Sequence, residues 1–398
     1  MADAASLRDL LTPEGQQALQ EAMRQASPAR GFLPLYQHLS RHHPASLARA
    51  AAEQALLRAK AKDKFDDADR LYFEREALEQ STPQAIAAYR ASRFAGTPII
   101  FDLGCGIGGD TLALAREATV VAVDIDRHRL AVLGMNARVR GVAGRVRCLL
   151  ADVHSPAWRF PPGAAAFFDP ARRRAGRRVR APERYQPPLE VIRDWLPHLS
   201  AMAVKVSPAI DLARLAGYDC EVEFIALGAE LKEACLWFRS QRTASRRATV
   251  LPGPHTLTGA TEPDLGVSPP LAYLYEPNPA VMRAGLVRLV GEQLSARLLD
   301  ATTAFLTSDS CTATPFARAY RVVDFLPFQL KQLRARLRQM GVGRLTVKKR
   351  GSAITPDELI HKLHLRGEAE ATLVLTRVMG QHSVLIVQPV SSNNSLRT

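Results

Sequence analysis

The sequence predicts an α/β protein built on a mostly parallel sheet with helices on both faces, extended at its N-terminus by helices and followed by a smaller α/β unit. Three observations carry that reading. From Thr97 short branched-apolar runs alternate with helical runs, the pattern of repeated βα units whose strands are buried on both faces. A glycine-rich turn, Gly104-Cys105-Gly106-Ile107-Gly108-Gly109, links the first of these strands to the first helix. Finally, residues 228–232 are all that separate the last two strand-like runs, and a parallel crossover needs about a dozen residues, so these runs form an antiparallel hairpin.

Taken in order, residues 1–95 read as a helical domain. Leu7, Leu10 and Leu11 fall at helical spacing, Thr12-Pro13 marks a second helix start, and 44–64 runs without a glycine. The end of this region, Lys64 to Thr82, sets Phe65, Tyr72 and Phe73 among charges and either buttresses the next domain or covers its ligand. Seven strands follow at 99–103, 119–123, 145–150, 164–168, 201–206, 220–227 and 233–238, with helices at 110–117, 127–140, 188–196 and 209–216. From 239 to about 269, Ser, Thr, Gly and Pro without periodicity read as a linker or surface excursion. Strands at 273–275, 320–323 and 344–348, helices at 279–299, 327–340 and 356–365, and a hairpin of 371–377 with 383–388 complete the second α/β unit. The expected domains are thus 1–95, 96–245, a linker and connecting segment at 246–319, and 320–398.

Composition narrows the function classes. The 398 residues carry 53 basic and 39 acidic side chains, a net +14, which favours a polyanionic partner. No apolar run reaches the roughly 18 residues of a membrane span, and the first 30 residues lack a signal-peptide core, so the expected location is the cytoplasm. Five widely spaced cysteines without a CxxC pair, and ten histidines without ligand spacing, predict neither disulfides nor a metal site.

Ile99 to Asp110 is the strongest motif. Gly104, Gly106 and Gly109 satisfy GxGxxG between a strand and a helix, and Asp124 ends the next strand 20 positions after Gly104. Glycines let a ligand approach the backbone, and a carboxylate at the second strand's end accepts ribose hydroxyl hydrogens. An NAD-dependent enzyme would share these features, but nothing downstream supplies a hydride-transfer base. Asp102, two residues before Gly104, repels a pyrophosphate and attracts a cationic amino group.

Asp102 to Asp110 resembles motif I of the class I S-adenosylmethionine-dependent methyltransferases, a Rossmann-like family with a seven-stranded sheet and a terminal antiparallel hairpin. The resemblance implies S-adenosylmethionine as cofactor, with its amino-acid part against Gly104, Cys105, Gly106 and Gly109, its ribose on Asp124, its adenine amino group at Asp152, and Val123, Ile125 and Val153 lining the adenine faces. Taken alone, Asp152 either caps the following turn or joins this pocket.

After the fourth strand, Asp169-Pro170-Ala171-Arg172 resembles motif IV of amine and nucleic-acid methyltransferases, Asp/Asn-Pro-Pro followed by an aromatic, with Ala171 and Arg172 as departures. The resemblance makes Asp169 and Pro170 the catalytic pair, Asp169 accepting hydrogens from the target nitrogen, and leaves base stacking to Phe73, Tyr72 or Tyr185. Together with Leu71 to Ser81 and Lys205-Val206-Ser207-Pro208, the Asp-Pro-Ala-Arg-Arg run resembles a bacterial methyltransferase group with a C-terminal THUMP-like domain. That likeness adds Gln80 and Ser81 to the cofactor set and makes RNA the favoured acceptor. Seven arginines lie in residues 172–184; Arg172, Arg173, Arg174, Arg177 and Arg178 are read as a phosphate clamp, the alternative being a loop pinned by acids such as Asp66, Asp67 and Asp69. A second basic set, from Lys331 to Arg350, is either further RNA surface or the wet side of a helix. The expected activity is methylation of a nitrogen of an RNA base in tRNA or rRNA; the alternatives are a protein or small-molecule methyltransferase, or a non-catalytic RNA-binding protein retaining the fold.

Overall fold

The computed structural model describes residues 4–26, 31–154, 158–171, 173–174, 177–178, 181–260, 263–350 and 354–390, with backbone alone at 4–6, 173–174 and 177–178. The chain divides into two compact units, residues 1–221 with 233–243, and residues 222–232 with 244–398.

Helices α1 (Ala4–Asp9), α2 (Pro13–Gln25), α3 (Phe32–Leu39) and α4 (Ala45–Ala61) open the first unit. Thr12 caps α2, its hydroxyl accepting from Gly15 N, and Pro13 occupies the first turn where no amide hydrogen is needed. The alanine-rich α4 buries Ala48, Ala51, Ala52 and Ala55, small side chains that let neighbouring helices approach closely. Its two buried polar residues have a separate task. Gln54 pairs with both backbone groups of Phe73 (2.6 and 3.0 Å), Arg58 donates to Leu71 O (2.8 Å), and Asn136 pairs with both backbone groups of Tyr72 (2.8 and 2.9 Å). The buried stretch 71–73 has no strand partner, so these side chains satisfy its peptide groups. It leads into α5 (Arg75–Gln80), which ends at Ser81, and then α6 (Gln84–Ser92).

The sheet of this unit runs through β1 (Ile99–Leu103), β2 (Thr119–Asp124), β3 (Val146–Leu150) and β4 (Ala165–Phe168), with α7 (Thr111–Glu117) and α8 (Arg127–Val139) as crossovers. Arg173–Arg174 (β5) and Arg177–Arg178 (β6) form a separate two-residue ladder, α9 (Ile192–Trp195) is short, and β7 (Ala201–Val206) returns to the sheet. β1 pairs in parallel with β2 and β4, β2 with β3, and β4 with β7. After β8 (Glu221–Leu227), β9 (Glu230–Arg239) runs antiparallel to β7. All seven strands expected from the sequence form. β4 and β7 are buried at every position, the signature of a parallel sheet covered on both faces. The helix expected at 209–216 is only a 3-10 turn, Leu212–Leu215.

In the second unit β8 pairs in parallel with β10 (Arg246–Leu251), which pairs antiparallel with β11 (His255–Gly259). These strands correct the reading of the stretch after Arg239 as linker. Their apolar alternation lasts too few residues to stand out, and Pro252-Gly253 between them reads equally as loop. β12 (Tyr273–Pro277) follows, and the single helix expected at 279–299 is instead α10 (Pro279–Ala284) and α11 (Val287–Gln293), broken where Gly285 turns left-handed (φ 70°), then β13 (Arg297–Leu298). β14 (Leu306–Ser308), β15 (Ala317–Pro327), α12 (Leu330–Gln339), β16 (Val342–Lys349), α13 (Pro356–Leu363), β17 (Ala369–Val378) and β18 (Gln381–Pro389) complete the chain. The seven-stranded sheet has the order β13-β14-β12-β15-β18-β17-β16. Leu333, Leu337, Leu359 and Leu363 of α12 and α13 pack with Leu373, Leu375, Val384 and Ile386, and each such burial contributes about 1.5–3 kcal/mol.

Candidate active site

A cavity of about 500 Å³ opens beyond the carboxyl ends of β1 to β4 in the first unit, the place where parallel α/β sheets bind ligands. Its floor is the glycine loop. The amides of Gly104 and Cys105 both donate to Val123 O (2.9 and 3.0 Å), binding the loop to the end of β2. Gly104 has φ 83°, and a Cβ there would lie 2.9 Å from Asp169 O, so glycine is required on both counts. Asp124 accepts from Gly106 N (2.8 Å) and Asp126 N (2.9 Å), which fixes its carboxylate at the cavity wall.

Asp102 lies beneath the loop, buried. One oxygen, Oδ2, accepts from Thr111 Oγ1 at 2.5 Å, while Oδ1 has no hydrogen-bond partner among the described residues. Burial, reinforced by the negative charge of Asp110, pushes the carboxyl up to about 8 despite the Thr111 hydrogen bond. A buried unpartnered oxygen of this kind is stabilised by a cationic donor.

At the other end Asp169 follows β4, its amide donating to Leu103 O (3.2 Å). Lys205 of β7 donates from Nζ to Asp169 Oδ2 (2.7 Å) and to Thr82 Oγ1 (2.8 Å), and Thr82 donates to Asp110 Oδ2 (2.8 Å). Buried Arg90 pairs with both Asp110 and Glu233 and lies 4.5 Å over the Phe167 ring. Burial opposes the Arg90 charge, and the two acids hold its proton above the ordinary range regardless. Pro170 is buried and restricts the backbone of Asp169. The departure at Ala171 has a structural reason: its N–H donates to Gln186 O (2.9 Å) and its O accepts from Gln186 N (3.0 Å), a bridge that proline would break.

Gln80, Ser81, Asp102, Gly104, Cys105, Gly106, Gly109, Asp124, Ile125, Asp152, Val153, Asp169 and Pro170 all line this cavity. Asp152 is exposed and accepts from His154 N (2.9 Å) and Nδ1 (3.1 Å). Phe73 and Tyr185 are corrections. Phe73 is 2% exposed and packs in the helical core against Phe65; Tyr185 is 1% exposed with its hydroxyl accepting from Ser207 N. Tyr72 is buried as well, so none of the three offers a face for stacking. Aromatic residues among charges mark a buried turn as readily as a ligand platform. The side chains of Arg172, Arg173, Arg174, Arg177 and Arg178 lie outside the described residues.

Sequence reasoning missed Lys205, Thr82, Asp110 and Arg90 as parts of the site. For Lys205 a signal existed: it is the one charged residue in the otherwise apolar, fully buried run 201–206.

Fold and site define a Rossmann-like enzyme that holds a nucleoside-containing cofactor across the strand ends. The protein is 35% identical over 319 residues to a protein described as an uncharacterized S-adenosylmethionine-dependent methyltransferase of Mycobacterium tuberculosis, with the same figures in strains CDC 1551/Oshkosh and ATCC 25618/H37Rv; the match spans 77% of this chain and 84% of the relative. The chain therefore belongs to the S-adenosylmethionine-dependent methyltransferases. Family profiles match residues 97–200 (RNA cap guanine-N2 methyltransferase), 317–389 (THUMP domain-like), 273–314 (ferredoxin-like domain) and 3–61 (a domain of unknown function). A crystal structure of a candidate methyltransferase from Porphyromonas gingivalis W83 shares the fold, with TM-score 0.76 and 20% identity over 96% of this chain and 99% of that one.

The cavity's donor set fits S-adenosylmethionine: an unpartnered buried carboxyl oxygen for an amino group, a loop with no Cβ at Gly104, and a fixed carboxylate at the second strand's end. Among the described residues no group of three or more His, Cys, Asp or Glu is arranged to hold a metal ion, and no helix is long and apolar enough to cross a membrane.

Proposed function

We propose that this methyltransferase acts in the cytoplasm on a nitrogen of an RNA base, in tRNA or rRNA, with Asp169 as the catalytic carboxylate. One observation carries the reading: Asp169, 24% exposed, stands in the cavity wall with its backbone oxygen against the glycine loop that faces the cofactor. Methyl transfer from a sulfonium is a direct displacement, so the protein's work is alignment and exclusion of water. Asp169 would accept a hydrogen bond from the acceptor amine, orient its lone pair and stabilise the positive charge that grows on nitrogen, a charge relieved when the nitrogen sheds its proton to water once the sulfonium has left as a neutral thioether. Asp102 would hold the cofactor's amino group, Gly104, Cys105, Gly106 and Gly109 its amino-acid chain, Asp124 the ribose, and Ile125, Asp152 and Val153 the adenine. Gln80 and Ser81 close the remaining side.

The guanine-N2 description of the profile over 97–200 and the THUMP-like description over 317–389 support an RNA acceptor, as does the run of arginines that follows Ala171. Nucleoside mass spectrometry of total RNA from cells with and without the gene tests this. One methylated nucleoside missing from the deleted strain, and restored by the purified protein, is expected; transfer of label only to protein or small molecules overturns it.

A further inference from the structure

We infer that Lys205 is a positioning residue for the transfer step, acting through Asp169; this rests on the proposed role of Asp169. A lysine inside a fully buried strand is a poor device for stability, because desolvating an ion pair cancels most of its Coulombic gain and an apolar residue would serve the core as well. Its geometry has another use. The Lys205 side chain is 5% exposed and spans from Asp169 Oδ2 (2.7 Å) to Thr82 Oγ1 (2.8 Å), fastening the carboxylate at the acceptor end to the segment that follows α5.

The charges around Asp169 make this fastening necessary. Asp110 at the start of α7, and Asp102 from β1 once it ionises, add negative charge to the cavity that Asp169 lines, and Arg90 of α6 is committed to Asp110 and Glu233. Lys205 from β7 supplies a cation that holds the Asp169 carboxylate in the cavity wall. Thr82 orients the ammonium and is itself oriented by Asp110, so Asp169 is set by a chain of three contacts, two of them buried.

A double-mutant cycle tests it, with single-turnover transfer from radiolabelled S-adenosylmethionine to total RNA of a strain lacking the gene, and with cofactor affinity by calorimetry. Lys205→Met is expected to slow transfer about tenfold or more while cofactor affinity stays within about twofold, Lys205→Arg to restore most of the rate, and Lys205→Met to add less than about twofold in an Asp169→Asn background. Effects that multiply in the double variant overturn the inference and leave Asp169 in place. An Asp169→Asn variant with wild-type transfer overturns the reading of Asp169 instead. Should Lys205→Met not fold, Lys205→Gln enters the same cycle; failure of both to fold, or loss of cofactor binding in either, assigns Lys205 to structure and overturns the inference.

Discussion

The glycine-loop end of the cavity and the end beyond β4 hold their carboxylates by different means. At the loop end, Asp124 is set by the amides of Gly106 and Asp126, and the loop itself by Val123 O, all backbone groups close in sequence. At the β4 end, Asp169 is set by Lys205, which is 36 residues away, and Lys205 by Thr82, 123 residues away; the Arg90 to Glu233 pair spans 143. A site made of peptide groups is specified by where glycines fall. A site made of paired charges exists only once distant elements have docked, and each charge depends on its partner to offset desolvation.

Breaking the charge web is expected to have the largest effect. Arg90→Met leaves Asp110 and Glu233 buried without their cation, and a loss of about 3–5 kcal/mol in stability is expected by denaturant unfolding. An unchanged midpoint would mean that the web is not what holds the acceptor end.

Asp169→Asn separates the two ends functionally. Transfer in a single turnover should fall by about 2 kcal/mol, roughly 30-fold, while calorimetry finds cofactor affinity retained. At the loop end the pattern should invert. Asp124→Ala should weaken cofactor binding by about 1–1.5 kcal/mol, roughly tenfold, by removing an acceptor for both the cofactor and the loop amides; affinity equal to wild type would remove Asp124 from the cofactor site.

A pH dependence at Asp102 tests the loop end in a different way. Its folded pKa, near 8, lies above the unfolded value of 3.8, so between these limits the folded chain binds more protons than the unfolded one. The contribution of Asp102 therefore favours folding most below about pH 4 and declines as pH rises towards 8. A cation bound beside Asp102 favours its ionised form, so cofactor binding should release protons below pH 8 and tighten as pH rises. Calorimetry in buffers of different ionisation enthalpy measures the release, and Asp102→Asn should abolish it.

This contrast also explains what was legible in the sequence. The seven strands and the glycine-loop end of the cavity were readable because each rests on a local pattern: apolar runs, glycine spacing, an acid at a strand's end. Lys205 was visible as an anomaly in an apolar strand, yet its partners Asp169 and Thr82 become neighbours only in three dimensions. Phe73 and Tyr185 were misread because an aromatic beside charges looks the same whether it faces a ligand or closes a core. In the second unit β10 and β11 went unseen because proline and glycine mark both tight hairpins and linkers.

The contact between Gly104 and the Asp169 carbonyl has a consequence for retargeting. The glycine loop and the end of β4 are separated by the room of one absent methyl group, so the floor of the cavity tolerates no enlargement at Gly104. A laboratory effort to make this enzyme accept a bulkier molecule should leave that floor untouched. It should instead vary the side wall at Ala171 and Gln186, both exposed side chains joined only through their backbones, where new shapes can be introduced without moving the glycine loop and the end of β4 apart.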